Sequence, residues 1–168
     1  MIFQLEATRK ELLTVIEAIP ETFINVKESE KKWSIGQVLD HLHKTEVNIT
    51  KVIKHMSTLP EQQDSLPTKP LVLTLDRTRK VKVSDSLAPA LAELDKQELL
   101  DALAQSRAEL INVIEAIPQT VDFTKIGYKH PVFGELSLMQ WIEFIGYHEK
   151  RHLAQIEEVN AILINESV

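Results

Sequence analysis

Two histidines four residues apart, His148 and His152 in EFIGYHEKRHLAQI (143–156), interrupt a run whose other periodic positions are apolar. Residues at that spacing stack on one face of a helix. The rings are therefore either packed and hydrogen-bonded or converging on a shared ion. The stretch also reads H-E-K-R-H, formally H-E-x-x-H, the pattern in which a metalloprotease glutamate acts as general base toward zinc-bound water. A zincin would set this helix against a substrate-carrying sheet, and the sequence offers no such sheet. Two partly buried rings satisfied by Glu149 or a backbone carbonyl are the plainer alternative, so the pair needs a third partner.

The chain has six histidines, at 41, 43, 55, 130, 148 and 152. His130 falls in the GYKHPVFG loop, where the following proline disfavours helix. His55 lies near the end of a helix, where an imidazolium suits the dipole and exposure is expected. His41 borders an apolar stripe, three after Val38 and four before Thr45. His43, turned roughly 200° from it, should face outward. His41 follows the cap at Ser34 by roughly 10 Å of helix axis, and His148 and His152 precede Ile162 by roughly 15–21 Å. If the two helices run antiparallel, the three rings fall at comparable height. Three neutral imidazoles leave a coordination position open, which is the arrangement of a catalytic rather than a closed structural zinc site.

The elements that must position these rings follow from an internal repeat. ELLTVIEAIPET (11–22) and ELINVIEAIPQT (109–120) align with an offset of 98. Each ends an amphipathic helix at a proline, Pro20 or Pro118, which cannot continue the hydrogen-bond ladder. SIGQVLDHL, from Ser34, and SLMQWIEFI, from Ser137, are both S-x-x-Q capping boxes opening an apolar-periodic run. The pattern predicts helices over about 4–19, 35–56, 96–117 and 138–162. Short links within each pair imply antiparallel neighbours. Between the second and third helices lie some 38 residues with Pro60, Pro67, Pro70 and Pro89, long enough to return the chain along the molecule so that these two helices run parallel. The expected fold is all-α: one domain over 1–168, a four-helix bundle, up-down-down-up, with a long crossover. LVLTLD (71–76) could form a short strand or extended strip.

Composition narrows the function. Hydrophobic residues make up 43% and charged residues 26%, as in an ordinary globular protein. A net charge of −6 argues against general nucleic-acid affinity; the basic DRTRKVK (76–82) reads as a solvated loop. With no cysteine there is no disulfide, thiolate ligand or thiol nucleophile. The start lacks a signal peptide's pattern, and no stretch of 18 apolar residues occurs, so no membrane association and a cytoplasmic location are expected.

WSIGQVLDHLHKTE (33–46) and HPVFGELSLMQWIEFIGYHEKRHLAQIEEV (130–159) resemble the DinB-like superfamily of metal-binding four-helix bundles, especially its DinB-2 branch. The similarity extends over nearly the whole chain. On the family's pattern, a histidine before leucine in the second helix and H-x-x-x-H in the fourth, His41, His148 and His152 match the three metal ligands. The resemblance implies a divalent metal, zinc or nickel, with water in the open position. Family members include bacillithiol S-transferases and proteins of mycothiol-linked chemistry, while many others are described only as metal-dependent hydrolases. The expected activity is therefore a hydrolase or thiol S-transferase acting on water or a small-molecule thiol. The alternative is a non-catalytic, metal-stabilised bundle serving as a binding module; in either case a homodimer through apolar helix faces is an expectation. No residue is assigned a catalytic role. Asp40, Glu149 and Gln155 are candidates to orient an imidazole, each weighed against a plain solvated helix face. Trp33 is a candidate to line the pocket or to act as a hydrophobic staple, and Trp141 is expected in the core.

Overall fold

The structure, a computed structural model, describes residues 1–166. Four helices dominate it: α1 (Ile2–Ala18), α2 (Ile35–Met56), α3 (Lys96–Glu115) and α4 (Leu138–Glu166). Their ends follow local chemistry. At α2 the Ser34 hydroxyl accepts the Gln37 N–H while the Ser34 N–H donates to Gln37 Oε1, both at 3.2 Å, closing the expected capping box. The second box is only half formed. Ser137 Oγ accepts the Gln140 N–H at 3.2 Å, but the Gln140 side-chain amide donates to the Lys69 carbonyl of the crossover instead. Asp95, unremarked in the sequence, caps α3 by accepting the Glu98 N–H.

Contacts between helices fix their directions. Arg9 donates to the Leu103 carbonyl and Arg107 to the Leu5 carbonyl, so α1 and α3 run antiparallel. His43 meets Ala102, and Glu46 meets Ser106, so α2 and α3 run parallel. Leu5 lies beside Gly146 and Arg9 pairs with Glu149, so α1 and α4 run parallel. The bundle is thus up-down-down-up.

Two expectations are corrected. Leu71–Leu75 is a 3-10 turn rather than a strand. Its neighbourhood is pinned by Arg151, whose guanidinium donates to the Thr74, Asp76 and Arg79 carbonyls, a pattern a local turn satisfies and an isolated strand does not. A short antiparallel hairpin, β1 (Gly127–His130) with β2 (Gly134–Ser137), precedes α4. Its turn includes Gly134 at φ +73°, a conformation that favours glycine. The hairpin has only two strands and leads into the start of α4, so it does not supply the substrate-bearing sheet of a zincin.

The core is split in two. One apolar cluster includes Leu5, Ile49, Leu110 and Ile145; the other includes Leu12, Leu42, Leu103 and Leu153. On every helix a buried charge sits between the two sets: Arg9, Glu46, Arg107 and Glu149. Arg9 bridges Glu46 (3.0 Å) and Glu149, and Arg107 bridges the same two carboxylates at 2.7 and 2.8 Å. The repeat generates this layer. Arg107 is Arg9 plus 98, the offset of the proline stops, and Glu149 is Glu46 plus 103, the offset of the serine caps. Two positive and two negative charges cancel, but a slip of one helix by a turn would strand a buried charge, which costs several kcal/mol, on the order of 3–5. The layer therefore holds the helices in axial register, including α2 and α4, which carry the histidines.

Candidate metal centre

His41 sits in the second turn of α2, and His148 and His152 in the middle of α4. Antiparallel packing of α2 and α4 brings them together. His148 Nε2 lies 3.3 Å from His41 Nε2 and 3.2 Å from His152 Nε2, and one ligand nitrogen from each ring falls within 4.8 Å of the others. Ligands placed tetrahedrally at about 2.0–2.1 Å from a cation are about 3.3 Å apart. The two short separations match that spacing.

Protons distinguish a ligand set from a hydrogen-bonded trio. His41 Nδ1 is 2.8 Å from the Leu87 carbonyl oxygen, which only accepts, so the ring donates from Nδ1 and turns a lone pair from Nε2 to the centre. His152 Nδ1 lies 2.9 Å from Gln155 Oε1 and does the same. His148 can offer at most one proton from Nε2 to these two lone pairs. At least one nitrogen lone pair is left facing the centre without a donor, and a cation satisfies all three. The residues present fit a divalent metal.

Charge favours the same state. Burial holds the His41 imidazolium pKa below its ordinary value. Burial, then the neighbouring His152 and His41 rings, pushes His148 well down, and burial followed by His41 lowers His152 to about 3. All three are neutral near pH 7, the form that coordinates.

The candidate orienting groups separate. Of the three, Gln155 meets a ring: its Oε1 accepts from His152 Nδ1. Asp40 does not bond an imidazole: its carboxylate accepts the Ala90 N–H and pairs with Lys44, tying the crossover to α2. Glu149 is neither on a solvated face nor against a ring; both arginines of the buried layer occupy it. Trp33 lies with its ring centroid 5.0 Å from that of His41, beside the site, and Trp141 is buried, donating to the Tyr128 carbonyl. His55 is exposed. His43, expected outward, is half-buried with Nδ1 3.1 Å from the Ala102 carbonyl, because α3 packs beside that face of α2. His130, at the end of β1, is buried against Trp141 and Phe144, and its Nδ1 accepts the Val132 and Phe133 N–H groups. It belongs to the hairpin rather than to the cluster. Leu87 was not anticipated; a backbone carbonyl leaves no mark in a sequence.

The repeat does not extend to the three histidines. Subtracting or adding 103 pairs His148 with Thr45, His152 with Ile49 and His41 with Phe144. Both halves of the repeat contribute imidazoles, and the equivalent positions, Thr45, Ile49 and Phe144, cannot form a second such set.

The bundle topology and the three converging imidazoles define the class of protein to compare with, and residues 4–156 match the sequence profile of the DinB superfamily (DinB_2). The chain belongs to that family. It is 35% identical to the uncharacterized protein YuaE of Bacillus subtilis (strain 168) over 152 residues, 90% of this chain and 91% of that protein. Among solved structures it is similar to TT2238, a four-helix bundle protein, at 24% identity and TM-score 0.62, covering 92% of this chain and 94% of the other. It is also similar to YfiT from Bacillus subtilis, described as a probable metal-dependent hydrolase with an unusual four-helix bundle topology. There the identity is 18% and the TM-score 0.65, covering 96% of this chain and 85% of the other. No helix among the described residues is long and apolar enough to cross a membrane.

Proposed function

We propose that the protein is a metal-dependent enzyme in which His41, His148 and His152 hold one divalent cation, zinc or nickel, and that its preferred nucleophile is a small-molecule thiol. The observation that carries this reading is the set of imidazole lone pairs turned to one centre, two of them fixed by Leu87 and Gln155. A divalent cation held there supplies Lewis acidity, lowering the pKa of a water or thiol in the open position. The chain contributes no thiol of its own. The carboxylates nearest in sequence to the ligands, Asp40 and Glu149, are committed to Lys44 and Ala90 and to the two arginines, so neither is free to take a proton from water. That favours a nucleophile that ionises without a general base, and a thiol at about 8.5 starts far closer to neutrality than water at about 15.7. Metal-assisted hydrolysis is the second reading, supported by the description of the YfiT relative. Trp33 offers an apolar wall for an electrophile beside His41.

The test is a zinc or nickel titration of metal-free protein, with the loaded protein then assayed for thiol–electrophile conjugation and for ester and amide hydrolysis. The reading requires His41→Ala to bind far more weakly than the parent and conjugation to depend on metal. Metal binding without turnover of any substrate would leave a stabilising ion instead.

A further inference from the structure

Of the three imidazoles, His148 is the one without a protein partner on Nδ1 among the described residues, its Nε2 being turned to His41 and His152. It lines a small, largely buried pocket of about 10 Å³, bounded also by Thr45, Glu46, Glu149, Arg9 and aliphatic side chains. That volume is room for one water, which needs two to four polar partners to be held. Thr45 supplies an unusual one. The helical threonines Thr8, Thr14 and Thr50 each donate to the carbonyl four residues back. Thr45, only 6% exposed, does not, and its Oγ1 has no protein partner among the described residues. A buried hydroxyl left unpaired is destabilising, so a partner is expected.

We propose that a single buried water in this cavity joins Thr45 Oγ1 and the carboxylate layer to His148 Nδ1, making Thr45 a positioning residue for the third metal ligand. The water accepts from His148 Nδ1–H and from or donates to the threonine hydroxyl, with a remaining proton directed at a Glu46 or Glu149 oxygen. This fixes the proton on Nδ1 and frees Nε2 for the ion, as Leu87 does for His41 and Gln155 for His152. The repeat gives the arrangement a simple origin: Thr45 occupies the position equivalent to His148, so the two face each other from paired helices, one bearing the ligand and the other its support. The ion-pair layer, whose evident task is register, thereby also reaches the site.

The inference rests on the three-histidine reading, but part of its test needs no metal. Thr45→Val removes the hydroxyl at nearly constant volume, and Thr45→Ser keeps it. In zinc-loaded protein, ¹⁵N spectra of the histidine rings should show the His148 Nδ1 proton protected from exchange in the parent and Thr45→Ser, and exposed to exchange in Thr45→Val. A high-resolution crystal structure of metal-free protein should show one water between Thr45 and His148. Zinc affinity by chelator competition should fall about tenfold in Thr45→Val, and be restored by Thr45→Ser. A dry cavity, or a valine variant that keeps the parent's exchange protection, overturns the proposal. If the water is present but zinc binding is indifferent to His41→Ala, the functional reading fails and the water bridge stands.

Discussion

Replacing Glu46 by glutamine tests the role of the buried charge layer. Glu46 accepts from Arg9 (3.0 Å), Arg107 (2.7 Å) and Ser106 (2.5 Å) and is 2% exposed. Burial alone would raise its pKa, but the two guanidiniums and the Ser106 hydroxyl more than reverse this and hold it below the usual carboxylate value. In Glu46→Gln, Arg9 and Arg107 share the single charge of Glu149, and one positive charge is left uncompensated between two apolar clusters. Breaking a buried pair in this way costs about 3–5 kcal/mol. That is a large part of a typical stability of about 5–15 kcal/mol, and for a chain of this size it lowers Tm by about 6–20 °C. Urea unfolding followed by circular dichroism measures the loss. The pair Glu46→Leu with Arg107→Met restores neutrality with apolar groups, and the double variant should be clearly more stable than the sum of the single losses implies. A loss under about 1 kcal/mol for Glu46→Gln, no larger than that of an exposed pair, would refute the view that these charges are desolvated and mutually dependent.

Three further outcomes follow from the geometry. Burial lowers the His130 pKa to about 4 from 6.5. The folded state therefore binds fewer protons than the unfolded state between those values, and stability complete above pH 6.5 declines as pH falls toward 4, by about 2 kcal/mol at pH 5. His130→Asn, which retains an acceptor for Val132 and Phe133, should flatten that part of the urea-midpoint profile; an unchanged slope would count against the assignment. Gln155→Leu removes the acceptor of His152 Nδ1 and should weaken zinc binding about 10- to 100-fold, read by chelator competition, with little change in the fold. Ser34→Ala opens the α2 capping box and should cost about 1 kcal/mol in urea unfolding.

The helices were legible because their signals are local. Apolar spacing, the serine caps at 34 and 137 and the prolines at 20 and 118 act within a turn or two, and α2 begins and ends where those signals place it. The long crossover implied the parallel α2–α3 pair for a simple reason of chain length. Convergence of His41 with His148 and His152 followed from counting turns along antiparallel helices. Elements whose structure depends on distant groups were not legible. The 71–75 turn takes its form from Arg151, the hairpin depends on pairing between short polar strands, and the Leu87 carbonyl reaches His41 from 46 residues away. Glu149 was misplaced because its neighbour is a candidate ligand and its motif is familiar, while its actual partners lie 140 and 42 residues distant. The signal that could have found them was present: both arginines and both glutamates obey the offsets already set by the prolines and the caps.

The proposed centre holds one ion among His41, His148 and His152. Zinc added to metal-free, untagged protein and located by anomalous diffraction should give one peak per chain, about 2.0–2.1 Å from Nε2 of each of His41, His148 and His152. A peak that leaves out any one of those rings, or no peak at a zinc concentration that saturates binding in solution, would contradict it.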